Sequence, residues 1–301
     1  MSNVAAIDIG SNSVRLLVTD AGGRELVRLM HITKLGQDVD RTGVLAPEAI
    51  ERTMLVLTEY AQHVRQHAAA RVRITATSAA RDARNREALF ERVRLALGSE
   101  PELISGVEEA TLSFQGATAG RSSAGAPFVV MDIGGGSTEF AFGSSAPERS
   151  VSLPLGCVRI SERFLKSDPP AASELAAAAA HTREVLQQVE PQVGVRGART
   201  WLGLAGTVTS IAARDAGLQE YDPTVTHGRV LTREAVERIH GELSRATLDE
   251  RGKLLLQAKR AGVIVGGSVV LLEVMRTFDL PSLVVSERDI LDGLAASLLP
   301  R

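Results

Sequence analysis

Ala5-Ala6-Ile7-Asp8-Ile9-Gly10-Ser11-Asn12-Ser13, running on as Val14-Arg15-Leu16-Leu17-Val18, is matched further along by Val129-Val130-Met131-Asp132-Ile133-Gly134-Gly135-Gly136-Ser137-Thr138-Glu139 and Phe140-Ala141-Phe142. Each copy is an apolar strand with an Asp near its end, a turn of glycine and small hydroxyl residues, then a second strand. The two aspartates lie 124 residues apart, about one domain's length, so the pattern reads as a duplicated domain rather than a solenoid. A single Asp-x-Gly-Ser is explicable as an ordinary hairpin turn, because Asp and Gly are favoured there for local reasons. Two copies with the acid at one register are not. Such a turn lets successive backbone N–H groups point inward and form an anion-binding concavity. The aspartate, itself negative, suits a hard cation such as Mg²⁺ that would bridge to phosphate oxygens. A P-loop is excluded: G-x-x-x-x-G-K-[ST] is absent and the turn leads into a strand.

Strand-like alternations and helical periodicities mix along the rest of the chain, so the class is α/β. Pro47 opens the clearest helix, with Ile50, Met54, Leu57, Ala61 and Val64 forming one apolar stripe. A strand is predicted over Arg71–Thr77, a charged helix from about Asp82 to Leu97 ended by Gly98, a short strand at Leu103-Ile104 and a helix after Ser105. Residues 121–127 are small and turn-rich, the best linker candidate. Beyond it come the strand Phe128–Met131, an Ala-rich helix after Asp168-Pro169-Pro170, a strand at Thr200–Leu204, helices from Thr232 to Met275, a strand at Leu283–Val285 and a closing helix.

With 301 residues and 44% hydrophobic content, the chain can bury two cores. The longest apolar stretch, Ala261–Leu272, is too short to span a bilayer and reads as a buried helix. A single cysteine, Cys157, permits no internal disulfide and fits a reducing cytoplasm; it reads as a small buried residue. A net charge of −2 argues against an electrostatic grip on nucleic acid or membrane. Arginine supplies 30 of the 34 basic residues; its fork suits phosphate oxygens, although coding bias would enrich it equally. His63 and His67 are four apart with no evident third metal ligand.

Five segments in order carry a resemblance to a known family: Asp8-Ile9-Gly10-Ser11-Asn12-Ser13-Val14-Arg15, Ala76-Thr77-Ser78-Ala79-Ala80-Arg81-Asp82-Ala83, Ile104-Ser105-Gly106-Val107-Glu108-Glu109-Ala110, Asp132-Ile133-Gly134-Gly135-Gly136-Ser137-Thr138-Glu139 and Gly203-Leu204-Ala205-Gly206-Thr207. The paired hairpins look like the phosphate motifs of actin, sugar kinases and heat-shock chaperone ATPases. Within that superfamily the chain closely resembles the exopolyphosphatase/guanosine pentaphosphate phosphohydrolase (Ppx/GppA) family, in its short form. The resemblance implies two actin-like (ribonuclease H-like) domains with mixed β-sheets flanked by helices and a cleft between them. They are expected at 1–122 and 123–301, with the C-terminal helix, about 287–301, packing back on the first. The chain departs from the family at Gly262, where Asp is frequent, and at Asp292, where Arg or Glu commonly precedes the glycine.

The implied activity is removal of terminal phosphate from polyphosphate, by Mg²⁺-assisted in-line attack of water on the terminal phosphorus. Ser105 followed by Glu108 is a capping-box pattern, which gives Glu108 a structural task. By resemblance Glu109 handles the attacking water and Arg81 binds substrate phosphate. The expected phosphate grips are Gly10, Ser11, Asn12, Ser13, Gly134, Gly135, Gly136, Ser137 and Thr138. Arg15 touches phosphate or pairs with an acid; Gly206 and Thr207 cradle phosphate or simply pack closely. Asp8, Asp132 and Glu139 are the expected metal carboxylates, and the loops of Asp8 and Asp132 are expected to converge with Glu109. The alternatives are a guanosine pentaphosphate 5′-phosphohydrolase, a non-hydrolysing nucleotide or polyphosphate regulator, and a kinase of the same superfamily. Scarce aromatics, 3% of the chain, mildly favour inorganic polyphosphate over a base-bearing substrate. A homodimer is a family-level expectation.

Overall fold

The computed structural model describes residues 2–299. They form two compact α/β units, one from the chain up to residue 116 together with the segment from 290 onward, the other from residues 117–289.

The first unit holds a mixed sheet of β1 (Val4–Ile9), β2 (Ser13–Thr19), β3 (Glu25–Ile32), β4 (Arg71–Ala76) and β5 (Pro101–Leu103), in the order β3-β2-β1-β4-β5. β1 to β3 form an antiparallel meander, and β4 and β5 run parallel to β1. Every residue of β1 is buried because both faces of the sheet are covered. Ala5, Ile7 and Ile9 enter one core with Leu57, Tyr60 and Phe90. Ala6 enters another with Leu17, Ile104, Leu112, Ile290 and Leu294. Asp8 alternates with Ala6 onto this second face.

The helix Pro47–Gln66 buries the predicted stripe, Ile50, Met54, Leu57, Ala61 and Val64. The helix expected from Asp82 is instead two, Ser78–Asp82 and Arg86–Leu97. The break lies where Asn85 pairs its amide with both backbone groups of Leu45, at 2.8 and 2.9 Å, while Arg84 N donates to Gly43 O. These long-range bonds compete with helical ones. Gly98, at φ 69°, caps the second helix as expected.

The second unit contains β6 (Phe128–Ile133), β7 (Thr138–Gly143), β8 (Pro147–Leu153), β9 (Thr200–Leu204), β10 (Val230–Thr232) and β11 (Ser282–Val285), ordered β10-β11-β9-β6-β7-β8. Read from β8, the order β8-β7-β6-β9-β11 repeats β3-β2-β1-β4-β5, with β10 added antiparallel at the edge. The duplication seen in the sequence is thus a duplication of topology. The apolar stretch after Ala261 forms the helix Ile264–Thr277, twelve residues of it buried. Two of its glycines permit close packing. A Cβ on Gly266 would meet Ser161 Oγ at 2.4 Å, and one on Gly267 would meet Thr207 Oγ1 at 2.3 Å. No helix among the described residues is long and apolar enough to cross a membrane.

Candidate active site

The two hairpin turns have the same construction. Gly10 N donates to Ser13 O at 3.0 Å and Gly134 N to Ser137 O at 2.9 Å. A Cβ on either glycine would crowd the equivalent carbonyl, at 3.0 and 3.1 Å, so a side chain there would press on the turn's own closing bond. In each turn the next two peptide N–H groups, of Ser11 and Asn12 and of Gly135 and Gly136, make no hydrogen bond among the described residues. Such adjacent donors form an anion-binding concavity.

What holds each turn differs. Ser11 O accepts from Gly36 N, Asn12 O from Thr33 N and Lys34 N, and Ser11 Oγ from Ala79 N at 3.1 Å. The Asn12 side chain is 5% exposed, and both its amide atoms lack a hydrogen-bond partner. An unsatisfied buried amide costs about 1–3 kcal/mol, which an oxyanion accepting from Nδ2 would offset. In the second turn the carbonyls of Gly134, Gly135 and Gly136 face the start of the helix Cys157–Phe164, accepting from the N–H groups of Cys157, Val158 and Arg159 and from Arg159 Nε. Thr138, expected to bind phosphate, commits its hydroxyl proton to Leu155 O at 2.6 Å; its side chain ties the turn down.

The acids occupy equivalent positions with different partners. Asp8 pairs across the hairpin with Arg15, and Asp132 with Glu139, so each pair shares a face of its sheet. Arg15 takes the acid-pairing option: its Nη2 lies 2.6 Å from Asp8 Oδ2, while Thr75 Oγ1 bonds Asp8 Oδ1 at 3.3 Å. Asp8 therefore already has a resident cation. Asp132 and Glu139 are two buried carboxylates side by side, at 5% and 1% exposure, with Ser152 Oγ donating to Glu139 Oε1 at 2.7 Å. Oxygen donors in that arrangement suit a hard divalent ion whose remaining positions are taken by water or phosphate. Asp132 and Glu139 thus place two of the three expected metal carboxylates on one face of the second sheet.

Glu109 lies in the first turn of the helix Gly106–Thr118. Arg81 Nη1 bonds its Oε2 at 2.7 Å and Ile104 O at 3.2 Å. Ser105 Oγ caps the helix by accepting from Glu108 N at 3.1 Å. The other half of the expected capping box does not form, because Glu108 reaches Arg73 at 2.8 Å instead. An ion pair to a guanidinium outcompetes a neutral N–H donor.

Gly206 and Thr207 begin the helix Ala205–Asp215, after Ala205 at φ 66°. The Arg260 guanidinium lies over Gly206, 2.0 Å from where a Cβ would be. A side chain at Gly206 would therefore collide with that guanidinium. Arg159, Arg260 and Gly156 were not singled out by the sequence reading. Only tertiary contacts reveal them, although the Gly-Cys-Val-Arg run after β8 is a helix-start pattern. Of the two departures, Asp292 pairs with Arg28 at 2.8 Å, and a Cβ on Gly262 would meet Leu248 Cδ1 in ordinary contact, at 4.0 Å. Among the described residues no group of three or more His, Cys, Asp or Glu could hold a metal.

The sequence profile of the Ppx/GppA phosphatase family matches residues 17–301. Exopolyphosphatase 2 of Mycobacterium tuberculosis is 44% identical over 316 aligned positions, covering 99% of both chains. The guanosine-5′-triphosphate,3′-diphosphate pyrophosphatase of Vibrio vulnificus is 28% identical, over 98% of this chain and 59% of its own length. The solved Ppx/GppA enzyme of Aquifex aeolicus superposes with a TM-score of 0.81 at 34% identity, covering 98% of this chain and 99% of that one. With its twin turns, its repeated sheet topology and this coverage, the chain belongs to the Ppx/GppA phosphatase family.

Proposed function

We propose that this chain is a cytoplasmic exopolyphosphatase, hydrolysing terminal phosphate from inorganic polyphosphate. The observation that carries the reading is the pair of turns closed by the same Gly N–H to Ser O bond, each offering two adjacent N–H groups without a hydrogen bond among the described residues, beside a buried acid. A polyanion with repeated phosphates matches a repeated phosphate grip. The 44% identity to a mycobacterial exopolyphosphatase over the whole chain supports it.

In this reading the N–H groups of Ser11, Asn12, Gly135 and Gly136 and the Asn12 amide bind equatorial phosphate oxygens, with Gly10, Gly134 and Ser137 shaping the turns and Ser13 closing the first. Asp132 and Glu139 would hold Mg²⁺, which supplies charge neutralisation at the phosphates when bound. Asp8 fixes Arg15, and Arg81 fixes Glu109. Glu109 orients or deprotonates the attacking water. Phosphoryl transfer needs little covalent help from the protein, so positioning and electrostatics carry the acceleration. Glu109→Gln should lower kcat by roughly 10²–10⁴-fold, the usual range for a general base, while polyphosphate binding persists. Near-normal turnover would remove Glu109 from the mechanism. The second reading, hydrolysis of a guanosine pentaphosphate, draws on the Vibrio relative. Phosphate release measured on short polyphosphate, long polyphosphate and guanosine pentaphosphate discriminates the two.

A further inference from the structure

The geometry points to Arg73 as a positioning residue that sets the direction of Glu109 by clamping its neighbour Glu108; this inference rests on the water-handling role proposed for Glu109. Arg73 lies on β4, register-paired with Ala6 of β1, on the sheet face covered by the helices Gly106–Thr118 and Ile290–Leu298. One guanidinium serves three elements besides its own strand. Nε bonds both oxygens of Glu102 on β5, at 3.0 and 3.1 Å. Nη2 bonds Glu102 and Glu108, each at 2.8 Å. Nη1 donates to Ser297 Oγ at 3.1 Å. The Arg73 side chain is 18% exposed and the carboxylates it holds are nearly half exposed, so the charge centre is sheltered while its partners reach in from the surface.

The consequence follows from helical geometry. Glu108 and Glu109 project about 100° apart around their helix. Arg73 draws Glu108 to one side and Arg81 holds Glu109 on the other, at 2.7 Å. Two anchors a fraction of a turn apart fix the rotation of the helix about its axis. Either one alone leaves that rotation to the Ser105 cap and to apolar packing, which tolerates sliding. A carboxylate stands about 5–6 Å from the helix axis, so a rotation of about 10° moves it by about 1 Å. Misplacement on that scale costs about 10²-fold in a positioned reaction. Arg73 touches neither turn, so its loss should leave substrate binding intact.

The test uses the full chain with polyphosphate and Mg²⁺. Arg73→Met should lower kcat by roughly 10–10²-fold with KM unchanged, and Glu108→Gln should lower kcat by a smaller factor, also at constant KM. The double variant should be no worse than Arg73→Met alone, because both changes remove the same clamp. Arg92→Met, which breaks the surface pair with Glu51 in the same unit, should leave kcat unchanged. The proposal is overturned if Arg73→Met melts lower yet keeps wild-type kcat, if KM rises as kcat falls, or if the single losses multiply in the double variant. Should Arg73→Met fail to fold, Glu108→Gln decides alone: full turnover sinks the clamp. Turnover retained by Glu109→Gln would remove the underlying water-handling role and the clamp with it. An inactive Glu109→Gln beside fully active Arg73→Met and Glu108→Gln removes only the clamp.

Discussion

Gly156 precedes the helix on which the second turn is seated, and its replacement by alanine isolates the geometry of that turn. Its backbone is extended, φ −149°, so alanine introduces no dihedral strain and any effect is steric. A Cβ there would lie 2.2 Å from Gly135 O, 2.4 Å from Gly135 C and 2.6 Å from Gly136 C. All three are backbone atoms of the turn, so no side chain can swing aside. Restoring ordinary contact requires about 1 Å of relative movement. Overpacking of this kind costs about 1–3 kcal/mol, or about 2–12 °C in Tm for a unit of this size. Moving the turn by about 1 Å should cost about 10²-fold in kcat/KM. Thermal melts with phosphate-release kinetics measure both. Gly262→Ala is the matched control: its nearest neighbour is Leu248 Cδ1 at 4.0 Å, and stability should stay within about 0.5 kcal/mol. A Gly156→Ala chain that melts and turns over like the wild type would refute the seating of the turn on that helix.

Chelation of divalent ions should abolish phosphate release, and added Mg²⁺ should raise the Tm of the wild type by binding only the folded state. Glu139→Gln should lose that Mg²⁺-dependent rise; a rise of unchanged size would exclude the Asp132–Glu139 pair as the ion's donors. A pH effect is expected at His240, whose Nδ1 lies within hydrogen-bond distance of Ser268 Oγ, at 2.9 Å. Burial first, then the charge of Arg276, hold its pKa below the ordinary 6.5, with Glu273 acting in the opposite sense. The unfolded chain therefore takes up the proton at higher pH than the folded one. The contribution is complete above about 6.5 and is lost as pH falls through the folded value. Melts in a pH series should show this acid-side slope in the wild type and a flatter one in His240→Gln; equal slopes would contradict the assignment.

The twin turns were legible in the sequence because everything they require is local. A strand end, an acid and a few small residues fix a hairpin, its inward N–H groups and its register, and a second copy at the same register identifies a duplicated sheet. The Pro47 helix, the Gly98 cap and the Ser105 cap were legible for the same reason. The helix break at 83–85 was not, since it depends on Asn85 meeting Leu45 some forty residues away in the chain.

Sequence by itself determined the α/β class, the repeated motif, the family resemblance and the identity of the acids. Tertiary structure decided which groups each acid meets. At equivalent positions Asp8 received an arginine and Asp132 a second carboxylate, a distinction that depends on which strand residue lies opposite. Glu108 turned from its own backbone to Arg73, and Arg159 came to rest against a turn more than twenty residues upstream. Local propensity acts over one helical turn, whereas an ion pair joins whichever charged groups the packed strands and helices bring within reach.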